Sequence, residues 1–206
     1  GMDTLRKYYA DFGLGSPTGI EIGDAAGRLP SQNEGENLAP WAAFGQANQL
    51  YTPLQLANYI ATLSGGGDRY ATHLLKNVRE SGTGALEYVY DAEPVQTIAM
   101  SEENLSAVLA GMHDLATDGA VSQYFKDCIV DAAAKTGTIQ TGDTKNNNGA
   151  FVCFAPYDDP QIAVAIVIEK GGTGAALAST AVQVLNAYFS NAAANTTVTG
   201  ENTLLG

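Results

Sequence analysis

Apolar residues recur at helical spacing in several stretches of the chain, each with its own end signals. A short helix is predicted over residues 3–12. A second begins after Thr52, a predicted N-cap followed by Pro53, and ends at the glycines of 65–67. A third is capped by Ser101, a short one covers 121–125, and a closing helix covers 173–189. The predicted buried positions are Leu54, Leu56, Ala57, Ile60, Ala61 and Leu63 in the second helix, and Leu105, Val108, Leu109 and Met112 in the third.

Three apolar runs in the second half of the chain predict strands: VDAAAKTGTIQ (130–140), GAFVCFAP (149–156) and QIAVAIVIE (161–169). The third run is apolar from Ile162 to Ile168, which predicts burial on both faces. The turn PYDDPQ makes the last two strands a hairpin. Helices and loops, a strand meander and a closing helix together predict an α+β fold, with an antiparallel sheet flanked by helices.

The remaining segments carry weaker patterns. Residues 13–31 are rich in glycine and are predicted to be extended and turn-rich, with Trp41 and Phe44 as the anchors that pack this region down. Residues 70–99 are predicted to form short strands and loops, with ALEYVYD as the best strand candidate.

Composition and charge exclude several classes of function. Apolar residues make up 45% of the 206 and charged residues 16%, the balance of a globular protein. A net charge of −12 with ten Lys and Arg argues against nucleic-acid partners and against anionic lipid surfaces. No run of apolar residues is long enough for a transmembrane helix. No signal peptide opens the sequence, and the glycine before Met2 is interpreted as a remnant of cloning.

The two cysteines and two histidines form no recognisable ligand set. Cys128 and Cys153 are expected to be small, buried apolar residues, and a disulfide is the less favoured alternative because their predicted separation is too large. His73 and His113 are isolated in the sequence, and the carboxylates show no metal-binding spacing. We therefore predict no metal and no cofactor.

The segment DAAAKTGTIQTG carries the candidate chemistry. Alternation along a strand would place Lys135 and Gly137 on one face, and Thr136 and Thr138 on the other. Gly137 would let another backbone approach closely. An ammonium and two hydroxyls on a strand beside a cleft suit an anionic, peptide-like ligand bound by strand addition. Alternatively, Lys135 is a solvated lysine at a strand end.

Three passages in the same order resemble class B penicillin-binding proteins. They are FGLGSPTGIEIGDAAGRLPS (12–31), GQANQLYTPLQLANYIATLSGGG (45–67) and KTGT (135–138), the last similar to the third active-site motif of penicillin-recognising serine enzymes. The resemblance implies a penicillin-binding transpeptidase fold, similar to that of serine β-lactamases, with its N-terminal part missing. Residues 1–189 would be the C-terminal portion of a single transpeptidase domain, and 190–206 a polar tail.

The resemblance also implies a reaction and roles. Such domains cross-link peptidoglycan through an acyl-enzyme formed from a D-Ala-D-Ala stem peptide, and β-lactams acylate the same serine. Lys135 would be the catalytic residue present, supplying positive potential. Thr136, Gly137 and Thr138 would bind substrate, with the two hydroxyls on its carboxylate and the Thr138 N–H as an oxyanion donor. The parent protein would work outside the bacterial cytoplasmic membrane, anchored by an absent N-terminal segment.

The family's other two motifs are not found where it has them. No serine is followed by lysine three residues later, since Ser122 and Lys126 are spaced by four. Ser31-Gln32-Asn33 matches the letters of the second motif, Ser-x-Asn, but follows the passage that the true motif precedes. The chain alone is therefore expected to be inactive, to pack against the missing part of its own domain, and to self-associate without it. The alternatives are a non-catalytic peptidoglycan- or β-lactam-binding module and a class D β-lactamase or sensor-like domain.

Overall fold

A computed structural model of the chain describes residues 1–31, 38–141 and 147–195, the last four by backbone alone. The helices are α1 (Met2–Asp11), α2 (Leu38–Ala43), α3 (Pro53–Ser64), α4 (Glu102–Thr117), α5 (Ser122–Phe125) and α6 (Ala178–Asn195), which follows a 3-10 turn at Gly174–Leu177. The strands are β1 (Asp68–Tyr70), β2 (Asn77–Arg79), β3 (Leu86–Val89), β4 (Pro94–Thr97), β5 (Ala133–Ile139), β6 (Asn148–Ala155) and β7 (Ile162–Ile168). The α+β fold and the predicted long helices and strands are confirmed.

The main sheet is antiparallel, three-stranded and ordered β5-β6-β7. Lys135 lies opposite Val152, and Val152 lies opposite Ala165. Two smaller antiparallel pairs, β1 with β4 and β2 with β3, form the region between α3 and α4. Within the described residues, β5 and β7 are therefore the two edges of the main sheet.

Alternating residues of the sheet enter two separate cores. Phe151 and Cys153 pack with α6, beside Leu185. Phe154 points to the other face and packs with Ile60 of α3 and Met112 of α4. Both phenylalanine rings are almost wholly buried, so helices cover both faces of the sheet.

The start of α3 organises the glycine-rich segment before it. Thr52 and Gln55 form a capping box, as Thr-x-x-Gln allows. The buried Gln55 amide also donates to the carbonyl oxygens of Ser16 and Ala26, both at 2.7 Å. This polar side chain therefore fastens residues 13–31 to α3.

Some predicted burial is wrong. Trp41 is 51% and Phe44 60% exposed, so they are not anchors. The short helix α2 fully buries one residue among those described, Ala42. Val108 is 50% exposed because α4 turns only a narrow stripe to the core, and Ala61 is also exposed.

The strand β7 and the closing helix also differ from the predictions. The strand β7 is not buried on both faces: its residues are partly exposed, and Ile168 reaches 44%, because no described strand covers its outer edge. The closing helix runs to Asn195, past the predicted end at 189, through an alanine-rich stretch of high helix propensity. The rest of the predicted polar tail lies outside the described residues.

Both cysteines are free, as predicted, with Cys153 buried and Cys128 half-buried. Cys153 pairs across the sheet with Ala134, and the expected burial of Cys128 is only partly met. None of the helices in the described residues combines the length and the apolar character of a membrane span.

Candidate active site

The KTGT motif lies in the middle of an edge strand. Lys135 and Gly137 share the face of Ala133, which packs towards α3 and α4. Thr136 and Thr138 share the face of Ala134, which packs towards α6. The four side chains therefore alternate between the two faces of the sheet, as the sequence predicts. All four residues lie along the open edge of β5.

Lys135 carries a charge that no described carboxylate neutralises. Its side chain is exposed, and its ammonium donates to the carbonyl oxygen of Thr136 at 2.6 Å. In the described part of the chain, the Lys7–Asp11 ion pair and the His113–Asp131 contact both lie elsewhere. The positive charge at the edge of β5 thus remains available to an anion.

Thr138 is held from two directions. The Gln46 side-chain amide donates to its carbonyl oxygen at 2.7 Å. The N–H of Gly174 donates to its hydroxyl oxygen at 3.4 Å. Because that oxygen accepts here, the hydroxyl proton is left for another acceptor, such as a ligand carboxylate.

Small residues bring neighbouring backbones close to the motif. A Cβ on Gly174 would lie 2.6 Å from the nitrogen of Gly137 and closer still to the carbonyl oxygens of Gly137 and Ala150. A Cβ on Gly137 would lie 3.3 Å from the Cβ of Ala150 on β6. Packing within the chain thus requires glycine at 174, whereas a side chain at Gly137 would only crowd Ala150, and the clearance of Gly137 for a ligand stays a prediction.

The outer edge of β5 presents backbone donors. In an antiparallel pair, alternate residues direct both N–H and C=O towards the partner strand. The contact of Thr138 C=O with Gln46 shows that Thr138 points outward, and Thr136 therefore does so too. No strand of the described chain pairs with this edge, so the N–H groups of Thr136 and Thr138 face outward beside Lys135.

Other sequence candidates do not join this edge. The backbone N–H of Ser31 donates to the Asn48 side chain at 3.0 Å, while Gln32 and Asn33 lie outside the described residues. Ser122 and Lys126 line a separate cavity of about 220 Å³ near the start of β5, together with Asp131.

The two histidines contact other partners. His113 lies 2.9 Å from Asp131 and stacks on Tyr157, and His73 stacks on Tyr90. In residues 1–31, 38–141 and 147–195 no group of three or more metal-ligating side chains occurs.

Sequence reasoning missed the role of Gln46. It belongs to the quoted Gly-Gln passage, but no periodicity marks it, and its partners lie more than ninety residues away, at Thr138 and Gln140. Only a structure brings such distant positions together.

Comparison with known proteins shows which family the chain resembles. A family model described as the penicillin binding protein transpeptidase domain matches residues 1–189. The chain is 33% identical to penicillin-binding protein 2A of Bacillus subtilis, over 81% of this chain and 25% of that protein. It is 26% identical to the peptidoglycan D,D-transpeptidase MrdA of Salmonella typhimurium, over 96% of this chain and 36% of that protein.

The fold has solved counterparts. The structure of penicillin-binding protein 2B from Streptococcus pneumoniae superposes with a TM-score of 0.82 at 26% identity, covering 92% of this chain and 33% of that one. The chain thus spans roughly a quarter to a third of the length of these relatives.

Proposed function

The chain belongs to the penicillin-binding protein transpeptidase family, among relatives of class B, and we propose that it forms one wall of the active site of a peptidoglycan D,D-transpeptidase. The observation that carries the proposal is the outer edge of β5, where the unpaired charge of Lys135 lies beside the outward N–H groups of Thr136 and Thr138. The substrate is the D-Ala-D-Ala end of a stem peptide, and β-lactams occupy the same place.

This edge fits a short peptide that ends in a carboxylate. The outward N–H groups of Thr136 and Thr138 can donate to the backbone of an added strand. The positive charge of Lys135 attracts the carboxylate, and the Thr136 and Thr138 hydroxyls donate to it. The Thr138 N–H is one oxyanion donor, a group worth roughly 3–4 kcal/mol to acyl transfer.

Acyl transfer needs a nucleophile that the sequence lacks, since no Ser-x-x-Lys is present. We assign the serine, its lysine and the second-motif serine to the remainder of the parent protein, of which this chain is the C-terminal part of the transpeptidase domain. That remainder packs against this sheet, where the half-exposed β7 offers an apolar edge of seven residues. Alone, the chain is inactive and self-associates through such surfaces.

The proposed cellular location follows from the substrate. Stem peptides are cross-linked outside the cytoplasmic membrane, so the parent works on that face of a bacterial cell, anchored by a segment outside this sequence. The reaction uses no cofactor. The absent nucleophile also favours a second candidate, a non-catalytic module that binds peptidoglycan or β-lactams through the same edge.

Labelling with a fluorescent penicillin separates the two candidates. The 206-residue chain should give no covalent band on a denaturing gel. A chain extended upstream through a Ser-x-x-Lys should be labelled, and Lys135→Ala in that chain should slow labelling at least about a hundred-fold. An extended chain that carries the serine but is never labelled would favour the binding module, and a band from the short chain would refute its inactivity.

A further inference from the structure

We propose that a groove between α4 and the turn after β6 binds a lysine or arginine side chain of a separate partner protein. This groove, which we call the α4 groove, has a volume of about 260 Å³. It lies outside the candidate active site. Its lining residues are Glu102, Leu105, Ser106, Leu109, Tyr157 and Asp158.

The floor of the α4 groove is apolar and held in place. Leu105 and Leu109 lie one helical turn apart on α4, and Tyr157 faces them from the turn after β6. All three side chains are partly buried against the core that α3 and α4 form with the sheet. The Tyr157 ring stacks on His113 with centroids 4.2 Å apart, and its backbone N–H donates to the carbonyl oxygen of Asp131 at 3.0 Å. The floor is therefore formed before any ligand arrives.

Two carboxylates lie at the rim of the α4 groove. Glu102 is in the first turn of α4 and Asp158 follows Tyr157, and both carboxylates belong to exposed residues. Neither forms an ion pair with a lysine, arginine or histidine of the described residues. An apolar floor beneath a negative rim complements a cation on a long apolar stem, which is the form of a lysine or arginine side chain.

The size and charge of the α4 groove favour a single basic side chain over other ligands. Pockets for drug-sized molecules have volumes of about 300–1,000 Å³, so this groove is too small for one. An anion would meet two like charges, and a wholly apolar group would gain nothing from either carboxylate. The exposed hydroxyl of Ser106 can also accept a hydrogen bond from an ammonium or guanidinium group.

The position of the α4 groove indicates a separate partner. The helix α4 packs against β5, whereas α3 packs against β7. The rest of the parent is proposed above to pack along β7, at the opposite edge of the sheet, so the groove would stay open in the parent. Thr138 lies five residues beyond the start of β5, about 17 Å along a strand, so the groove is also distant from the candidate site.

Titration of the ¹⁵N-labelled chain with three short peptides tests the ligand chemistry. The lysine peptide acetyl-Gly-Lys-Gly-amide should shift the amide signals of Ser106, Tyr157 and Asp158. Norleucine in place of lysine keeps the stem without the charge, and diaminopropionate keeps the charge on a short stem. Each should bind at least about three-fold more weakly. Equal binding of all three peptides, or no shift with millimolar lysine peptide, would overturn the proposal.

Charge-removing variants test the location of the site. Glu102→Gln and Asp158→Asn should each weaken binding of the lysine peptide about two- to five-fold, with a larger effect at low salt. The matched controls are Glu103→Gln and Asp159→Asn, which remove the same charge from neighbouring exposed residues that do not line the groove. Equal weakening in the controls would mean general attraction to an acidic chain and would refute the site.

A chain extended upstream tests the source of the basic side chain. It should bind the lysine peptide as tightly as the 206-residue chain does, because the α4 groove stays open. If the extended chain no longer bound the peptide, its own upstream part would occupy the groove, and the separate partner would be refuted.

Discussion

Gly174 lies directly against Gly137, with no room for a side chain between them. The 3-10 turn that begins at Gly174 thereby rests on the backbone of the KTGT strand, and its N–H reaches the hydroxyl of Thr138. The loop after β7 thus supports the site from the α6 face, while Gln46 holds its outer edge.

The contact between these glycines predicts that Gly174→Ala is destabilising. The new methyl group would overlap the backbones of Gly137 and Ala150, so the turn must move away from the sheet. We expect a loss of about 1–3 kcal/mol in the free energy of unfolding, measured with urea. The amide signals of Thr136 and Thr138 should shift in the same variant. Wild-type stability together with unshifted signals would show that the turn does not rest on the strand.

Gly111→Ala should have the opposite effect. Gly111 lies within α4, and a Cβ placed there would meet nothing within 4 Å. Alanine lowers the entropy of the unfolded chain and favours the helix, so we expect about 0.5–1 kcal/mol of added stability. The same urea measurement makes this variant the control for Gly174→Ala. A destabilised Gly111→Ala would mean that α4 is packed on that side as well.

The buried side chain of Gln55 should contribute strongly to the stability of the fold. Its buried amide serves Ser16, Ala26 and Thr52 at once. Gln55→Leu keeps the volume but leaves these backbone groups without partners, so we expect a loss of about 2–4 kcal/mol. Gln96→Leu, an exposed glutamine on β4, is the control and should cost little. Equal stabilities of the two variants would contradict the role of Gln55 as the fastener of residues 13–31.

Gln55 also shows where prediction from sequence reaches its limit. The capped ends of α3 and α4 and the three strands were predictable, because caps and periodicity are local. Gln55 is buried although polar, because its amide finds partners at Ser16 and Ala26 that no local pattern along the chain reveals. For Trp41 and Phe44 the prediction errs in the opposite way. They are apolar yet exposed, because burial depends on which face the rest of the fold covers.

The candidate site likewise contains residues that the sequence predicts and residues that only the folded structure reveals. Lys135 to Thr138 could be found from the motif and placed on a strand by periodicity. That β5 is an edge strand depends on sheet order, which local pattern does not determine. Gln46 and Gly174 lie far from the motif in sequence and reach it only through the folded chain.

The two cysteines should differ in reactivity. Burial raises the pKa of Cys153 to about 12, and burial also raises the pKa of the half-buried Cys128. Since only the thiolate reacts, about 10⁻⁴ of Cys153 is reactive at pH 8. We expect a disulfide reagent to modify Cys128 first, with the rate for both thiols rising with pH. Cys128→Ser and Cys153→Ser assign the two phases, and faster modification of Cys153 would contradict its burial under α6.

The fluorescence of Trp41 should report whether another surface covers the region of the candidate site. Trp41 is the single tryptophan of the chain, and its ring contacts that of the exposed Phe44 at a tilted angle, next to the turn that holds Gln46. At low concentration its emission should be solvent-like and readily quenched by acrylamide. If the chain self-associates through this surface, quenching should fall as concentration rises, whereas association through β7 should leave it unchanged. Phe44→Ala removes the neighbouring ring and should weaken only the first kind of association. Emission that is shielded at every concentration, with a monomeric sedimentation profile, would contradict the exposure of Trp41, because then a part of the same chain must cover it.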